Sequence, residues 1–132
     1  MLETTLTRTI LVVEDDKILG KFMVEFLQEE LNAQAFLALN GQQALTLMDS
    51  IKPDLFVLDY QLPDTNGLRL YDRLHALDGL EDVPALVVSA NVPIEEVQQR
   101  GLSYLQKPFD LDELLSVIER LLARKKISCG KG

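Results

Sequence analysis

The sequence predicts a single doubly wound α/β domain, a (βα)5 sandwich with a five-stranded parallel sheet between two helix layers. Three observations predict it. The runs Ile10-Leu11-Val12-Val13, Leu55-Phe56-Val57-Leu58 and Ala85-Leu86-Val87-Val88 are apolar without polar alternation. Strands covered on both faces look like this, and such strands belong to parallel sheets. Segments of helical period separate the runs, so strand and helix alternate along the chain. Right-handed crossovers then wind that order into a layered sandwich.

The elements follow in order. After the first run, Ile18, Leu19, Phe22, Met23, Phe26, Leu27 and Leu31 recur at helical spacing as one broad apolar stripe. A weaker strand is expected at Ala33–Ala38 and a helix over Gly41–Ser50. The second clear run is the third strand, and Leu68–Leu77 reads as the next helix. Ala85–Val88 is the fourth strand. A short helix is expected over Pro93–Arg100. Pro93 suits a first turn, Glu95 and Glu96 suit the positive end of the helix dipole, and Gly101 suits the stop. A second weak strand lies near Ser103–Gln106. Leu111, Leu114, Leu115, Ile118, Leu121 and Leu122 mark the last helix, with Asp110 and Glu113 as a capping pair. The periodicity stops after Ala123, which sets the domain at 8–123 and a tail or linker start at 124–132.

Composition narrows the function. The chain has 132 residues, 47% of them hydrophobic and 26% charged, which is ordinary globular usage. Its net charge of −8 repels nucleic acid and anionic membranes, so direct nucleic-acid binding is not expected. No apolar run approaches the ~20 residues of a membrane span, so no membrane insertion is expected. Met1-Leu2-Glu3-Thr4-Thr5 has an early acid and no apolar stretch, unlike a secretory signal. A lone cysteine, Cys129, permits no intrachain disulfide and no cysteine-based metal site. The lone histidine, His75, excludes multi-histidine sites and is expected on an exposed helix end. These features together point to the cytoplasm.

In open α/β sheets the functional crevice lies beyond the carboxyl ends of the strands. Glu14, Asp15 and Asp16 follow the first strand, Asp59 the third, Ser89 the fourth and Lys107, held by Pro108, the fifth. Each alone is ordinary. An acid pair after a strand often only caps a helix, and Asp16 is the best cap among the three. Their convergence on one sheet edge is what carries information. Glu14, Asp15 and Asp59 concentrate negative charge that Lys107 only partly offsets, and such a cluster is costly without a cation. Oxygen ligands select a hard ion such as Mg²⁺, which keeps waters and phosphate oxygens in its shell. A cation, a lysine and a hydroxyl suit a phosphoryl group, and Asp59 can serve as the carboxylate nucleophile.

These same residues carry a family likeness. Ile10-Leu11-Val12-Val13-Glu14-Asp15-Asp16, Leu58-Asp59-Tyr60-Gln61-Leu62-Pro63 with Gly67, Val88-Ser89-Ala90 and Tyr104-Leu105-Gln106-Lys107-Pro108-Phe109 resemble the receiver domain of two-component response regulators. Asn40-Gly41-Gln42-Gln43-Ala44-Leu45 resembles that family's second-helix start. The likeness covers about residues 8–123. It implies a flavodoxin-like sheet of order 2-1-3-4-5. It implies that Asp59 is the phospho-acceptor. Glu14, Asp15, Asp59 and the Gln61 backbone carbonyl would hold Mg²⁺ (or Mn²⁺). Lys107 would bridge to the phosphoryl oxygens, and Ser89 and Tyr104 would form the switch. The donor would be a sensor histidine kinase or a histidine phosphotransfer protein. The downstream effector is not readable, and a phosphorylation-dependent dimer is compatible with the likeness. The implied role is a signalling domain, not a turnover enzyme.

Two departures stand out. Asn66 replaces the acid the family often has before Gly67, and is expected to keep a turn. The stretch between Ser89 and Lys107 is about one helical turn short, which shortens the fourth helix. Two other functions compete. A haloacid-dehalogenase-type phosphatase wants a second Asp two residues after the nucleophile, where this chain has Gln61. A pseudo-receiver acting only by protein binding typically lacks an acid or the lysine, and here all are present.

Overall fold

A computed structural model describes residues 7–131, with side chains described through residue 123. The elements are β1 (Thr9–Val13), α1 (Lys17–Leu31), β2 (Gln34–Ala38), α2 (Gly41–Leu47), β3 (Leu55–Asp59), α3 (Gly67–His75), β4 (Ala85–Ser89), α4 (Ile94–Gln99), β5 (Ser103–Gln106) and α5 (Leu111–Lys131). All strand pairs are parallel and the sheet order is β2-β1-β3-β4-β5. The expected (βα)5 sandwich is therefore what forms.

Alternation within each strand builds the two cores. Ile10, Val12, Leu55, Val57, Leu86 and Val88 pack with Met23 and Leu27 of α1 and Leu114 and Ile118 of α5. Leu11, Val13, Phe56 and Leu58 pack on the other face with Ala44 of α2 and Leu70 and Leu74 of α3. Val87 meets Leu68 and Val97 of α4 on that face too. Burial on both sides explains why β1, β3 and β4 show no polar alternation. The edge strands β2 and β5 are partly exposed, which is why their signals are weak.

Side chains set several helix starts. Asp16 caps α1 by accepting from the Ile18 and Leu19 amides, as expected of it. Asn40 accepts from Gln43 N–H at the start of α2. Asn66, expected to keep a turn, accepts from the Leu68 and Arg69 amides and so also caps α3. Pro93 stands at the cap of α4, one residue ahead of the first turn, and Gly101 leaves the helix at φ +68°. Glu113 reaches back to the Asp110 amide at 3.2 Å at the start of α5. The backbone of α5 runs on to Lys131, through most of the stretch 124–132 expected as a tail, whose side chains, and residue 132 entirely, lie outside the described residues.

α1 buries less than its stripe suggested. Met23 and Leu27 are fully buried, whereas Ile18 is 84% exposed and Phe22 53%. His75 is half-buried and stacks on Tyr71 at 5.0 Å, so the expected exposed histidine is partly covered.

Candidate functional site: an acidic crevice at the strand ends

The sheet order places β1 beside β3, and their last residues meet a common edge. Glu14 follows β1 directly and Asp59 ends β3. The strands hold both carboxylates under cover, Glu14 at 3% exposure and Asp59 at 6%. Asp15 is exposed. The three carboxylates offer oxygen atoms all within 4.8 Å of one another.

Lys107 leaves the end of β5 and reaches across to them. Its Nζ lies 2.8 Å from Glu14 Oε1 and 3.3 Å from Asp59 Oδ2. Its backbone N–H donates to the Ser89 carbonyl at 2.8 Å, which ties the lysine to the end of β4. The Lys107–Pro108 peptide is cis. Backbone amides supply the remaining partners. Asp16 N–H donates to Glu14 Oε2 at 3.1 Å, and Gln61 N–H donates to Asp59 Oδ1 at 3.1 Å.

The electrostatics follow from burial. Loss of water pushes the Glu14 carboxyl above the usual glutamate range, and the nearby Asp59 charge adds to that push. Lys107 and the Asp16 amide oppose it without reversing it. Burial lowers the tendency of Lys107 to hold its proton, but Glu14 and Asp59 outweigh that and keep it above the ordinary lysine value. One lysine thus faces three acids, and the donor set consists of hard oxygens. That set fits a hard divalent cation.

Ser89 and Tyr104 stand differently. Ser89 is 1% exposed at the end of β4, and its Oγ accepts from the Asn91 amide at 3.2 Å. Tyr104 pairs with Val87 in the sheet and packs beside Leu68, Val87 and Val97, under α4. The residues expected at the crevice are thus assembled there, with Tyr104 set further back along β5. Asp64 was not anticipated. It lies in the loop after β3, and its bonds to the Gly41 and Gln42 amides join it to residues distant in sequence, which no local pattern marks.

The family model described as "response regulator receiver domain" matches residues 10–119. The chain belongs to the receiver domain family of response regulators. The receiver is 37% identical over 117 residues to the transcriptional regulatory protein CrdR of Helicobacter pylori, covering 86% of this chain and 54% of that protein. It is 29% identical over 120 residues to sporulation initiation phosphotransferase F of Bacillus subtilis, covering 88% of this chain and 94% of that one. A CheY-like receiver structure from Methanospirillum hungatei superposes with a TM-score of 0.85 at 22% identity, covering 93% and 99% of the two chains, and shows the shared fold. The receiver spans about half the length of relatives such as CrdR and the response regulator MprA of Mycolicibacterium vanbaalenii. Among the described residues no helix is long and apolar enough to cross a membrane.

Proposed function

We propose that Asp59 accepts a phosphoryl group from a phosphohistidine of a sensor histidine kinase or histidine phosphotransfer protein. The observation that carries this reading is the meeting of three carboxylates within 4.8 Å, with Lys107 bonded to two of them. Glu14, Asp15, Asp59 and the Gln61 carbonyl would hold Mg²⁺ (or Mn²⁺). When bound, the ion supplies charge neutralisation for the phosphoryl oxygens.

The chain's own groups do the rest. An Asp59 carboxylate oxygen attacks phosphorus as the phosphorus–nitrogen bond breaks. The electron pair stays on the imidazole nitrogen, which then takes up a proton. The Lys107 ammonium holds a phosphoryl oxygen, exchanging part of its present hold on Asp59. Ser89 turns its hydroxyl from the Asn91 amide to the new oxyanion, and Tyr104 changes rotamer behind it. The outcome is a population shift at the α4–β5–α5 face, read by an effector domain or protein. In this reading the domain is a cytoplasmic switch and not a turnover enzyme.

The test is incubation with a small acyl phosphate donor and Mg²⁺, followed by intact mass. The unsubstituted chain is expected to gain one phosphoryl group and Asp59→Asn none. Label on Asp59→Asn, or none on the unsubstituted chain, overturns the assignment.

A further inference from the structure

Asp64 lies in the loop between β3 and α3, the same loop that begins at Asp59. Its carboxylate accepts two backbone hydrogen bonds from a different element. Gly41 N–H donates to Oδ1 at 2.9 Å and Gln42 N–H to Oδ2 at 3.0 Å. Both donors belong to the first turn of α2, whose own cap, Asn40, is engaged with the Gln43 amide. A second contact lies beside the first. A Cβ on Gly41 would stand 2.7 Å from Thr65 Cγ2, so the helix start and the loop touch with no room for a side chain.

The loop is otherwise closed on itself. Leu62 N–H donates to the Thr65 carbonyl at 3.2 Å and Gly67 N–H to the Tyr60 carbonyl at 2.8 Å. Gln61 and Asn66 face each other in an antiparallel bridge. Asp64, with Gly41 against Thr65, ties this small unit to α2. A carboxylate held by two amides is a strong, directional tie. Turning of the loop would carry Gln61 with it.

We infer that Asp64 is a positioning residue, latching the β3–α3 loop to α2 so that the Gln61 carbonyl is held ready for the cation. This rests on the function proposed above. Groups that orient metal ligands typically change metal affinity when lost, though they never touch the ion.

The experiment measures Mg²⁺ affinity by calorimetry and backbone amide exchange across residues 60–66. Asp64→Ala is expected to weaken Mg²⁺ binding about tenfold and to speed exchange in that loop. Asp64→Asn keeps one acceptor and is expected to recover part of both. Asn40→Ala removes a cap from the same helix without touching the loop, and is expected to leave Mg²⁺ affinity unchanged. That control separates positioning from general loss of stability. Unchanged Mg²⁺ affinity in Asp64→Ala, or an equal loss in Asn40→Ala, overturns the latch alone. Failure of the unsubstituted chain to bind Mg²⁺ overturns the functional reading itself, and the latch's role with it.

Discussion

Gly67 shows how little room the crevice leaves. It opens α3 immediately after the Asp59 loop. A Cβ there would lie 2.7 Å from the Asp59 carbonyl oxygen and 3.1 Å from Tyr60 Cα. Both are backbone atoms, which cannot swing aside as a side-chain tip can. Gly67→Ala must therefore shift the peptide that carries Asp59. It is expected to cost about 1–3 kcal/mol in urea unfolding, in the range of other overpacked sites. Under the proposed function it should also slow phosphorylation by a small donor, because the proposed acceptor Asp59 moves. Wild-type stability and rate together would show that the loop yields freely. At this scale the sequence was informative wherever a proposed site residue stood at a strand end: Glu14, Asp15, Asp59 and Ser89 follow clear apolar runs, and Lys107 follows the weaker β5. It was silent about pairing. That Lys107 lies nearer Glu14 than Asp59 depends on how a flexible side chain crosses between strands.

Elements were legible in proportion to their burial. Strands covered on both faces declared themselves, and the edges β2 and β5 did so weakly. Helix ends were less legible. The segments expected to reach Ser50 and Leu77 end as helices at Leu47 and His75. Their remaining residues tighten into turns, with Ser50 N–H on the Leu47 carbonyl and Leu77 N–H on the Leu74 carbonyl. The α1 stripe was too broad for one sheet face, and period alone does not say which side of a broad stripe is covered. Substitution separates the two sides. Leu27→Ala is expected to cost about 2–5 kcal/mol, as buried leucines do. Phe22→Ala should stay within about 0.5 kcal/mol, as exposed positions do. Equal losses in chemical denaturation would mean that Phe22 is covered in solution. The short α4 is fixed differently. Arg100 makes a two-pronged bond to Asp72 of α3, at 3.0 and 2.8 Å. Such a partly exposed pair adds little stability, but it fixes where the helix end lies.

Strand order is a property of the whole molecule, and no residue pattern reports it. Parallel neighbours are far apart in sequence and leave no hairpin signal between them. The order 2-1-3-4-5 came from the likeness to receivers, and it is what brings Glu14 and Asp59 together. That meeting has a thermodynamic consequence for the entire fold. Burial holds the Glu14 carboxyl above its ordinary range, so the folded chain binds this proton more readily than the unfolded chain does. Its contribution to stability therefore falls as pH rises from the ordinary glutamate value, about 4.3, through the raised one. Once the carboxyl is ionised the burial penalty stands, with Lys107 offsetting only part of it. Glu14→Gln keeps the shape and removes the charge. In cation-free buffer at pH 7 it is expected to melt above the unsubstituted chain, with the gap closing as pH falls below about 4.3, where both side chains are neutral. Added Mg²⁺ should reverse the ranking. At a concentration 100 times the Kd, binding would stabilise the unsubstituted chain by about 2.7 kcal/mol, and the variant, short of one proposed ligand, is expected to gain less. Thermal melts of the two chains with and without Mg²⁺ read all of this. If Glu14→Gln melts lower in cation-free buffer at pH 7, Lys107 already satisfies the buried acids and the crevice has no need of a cation.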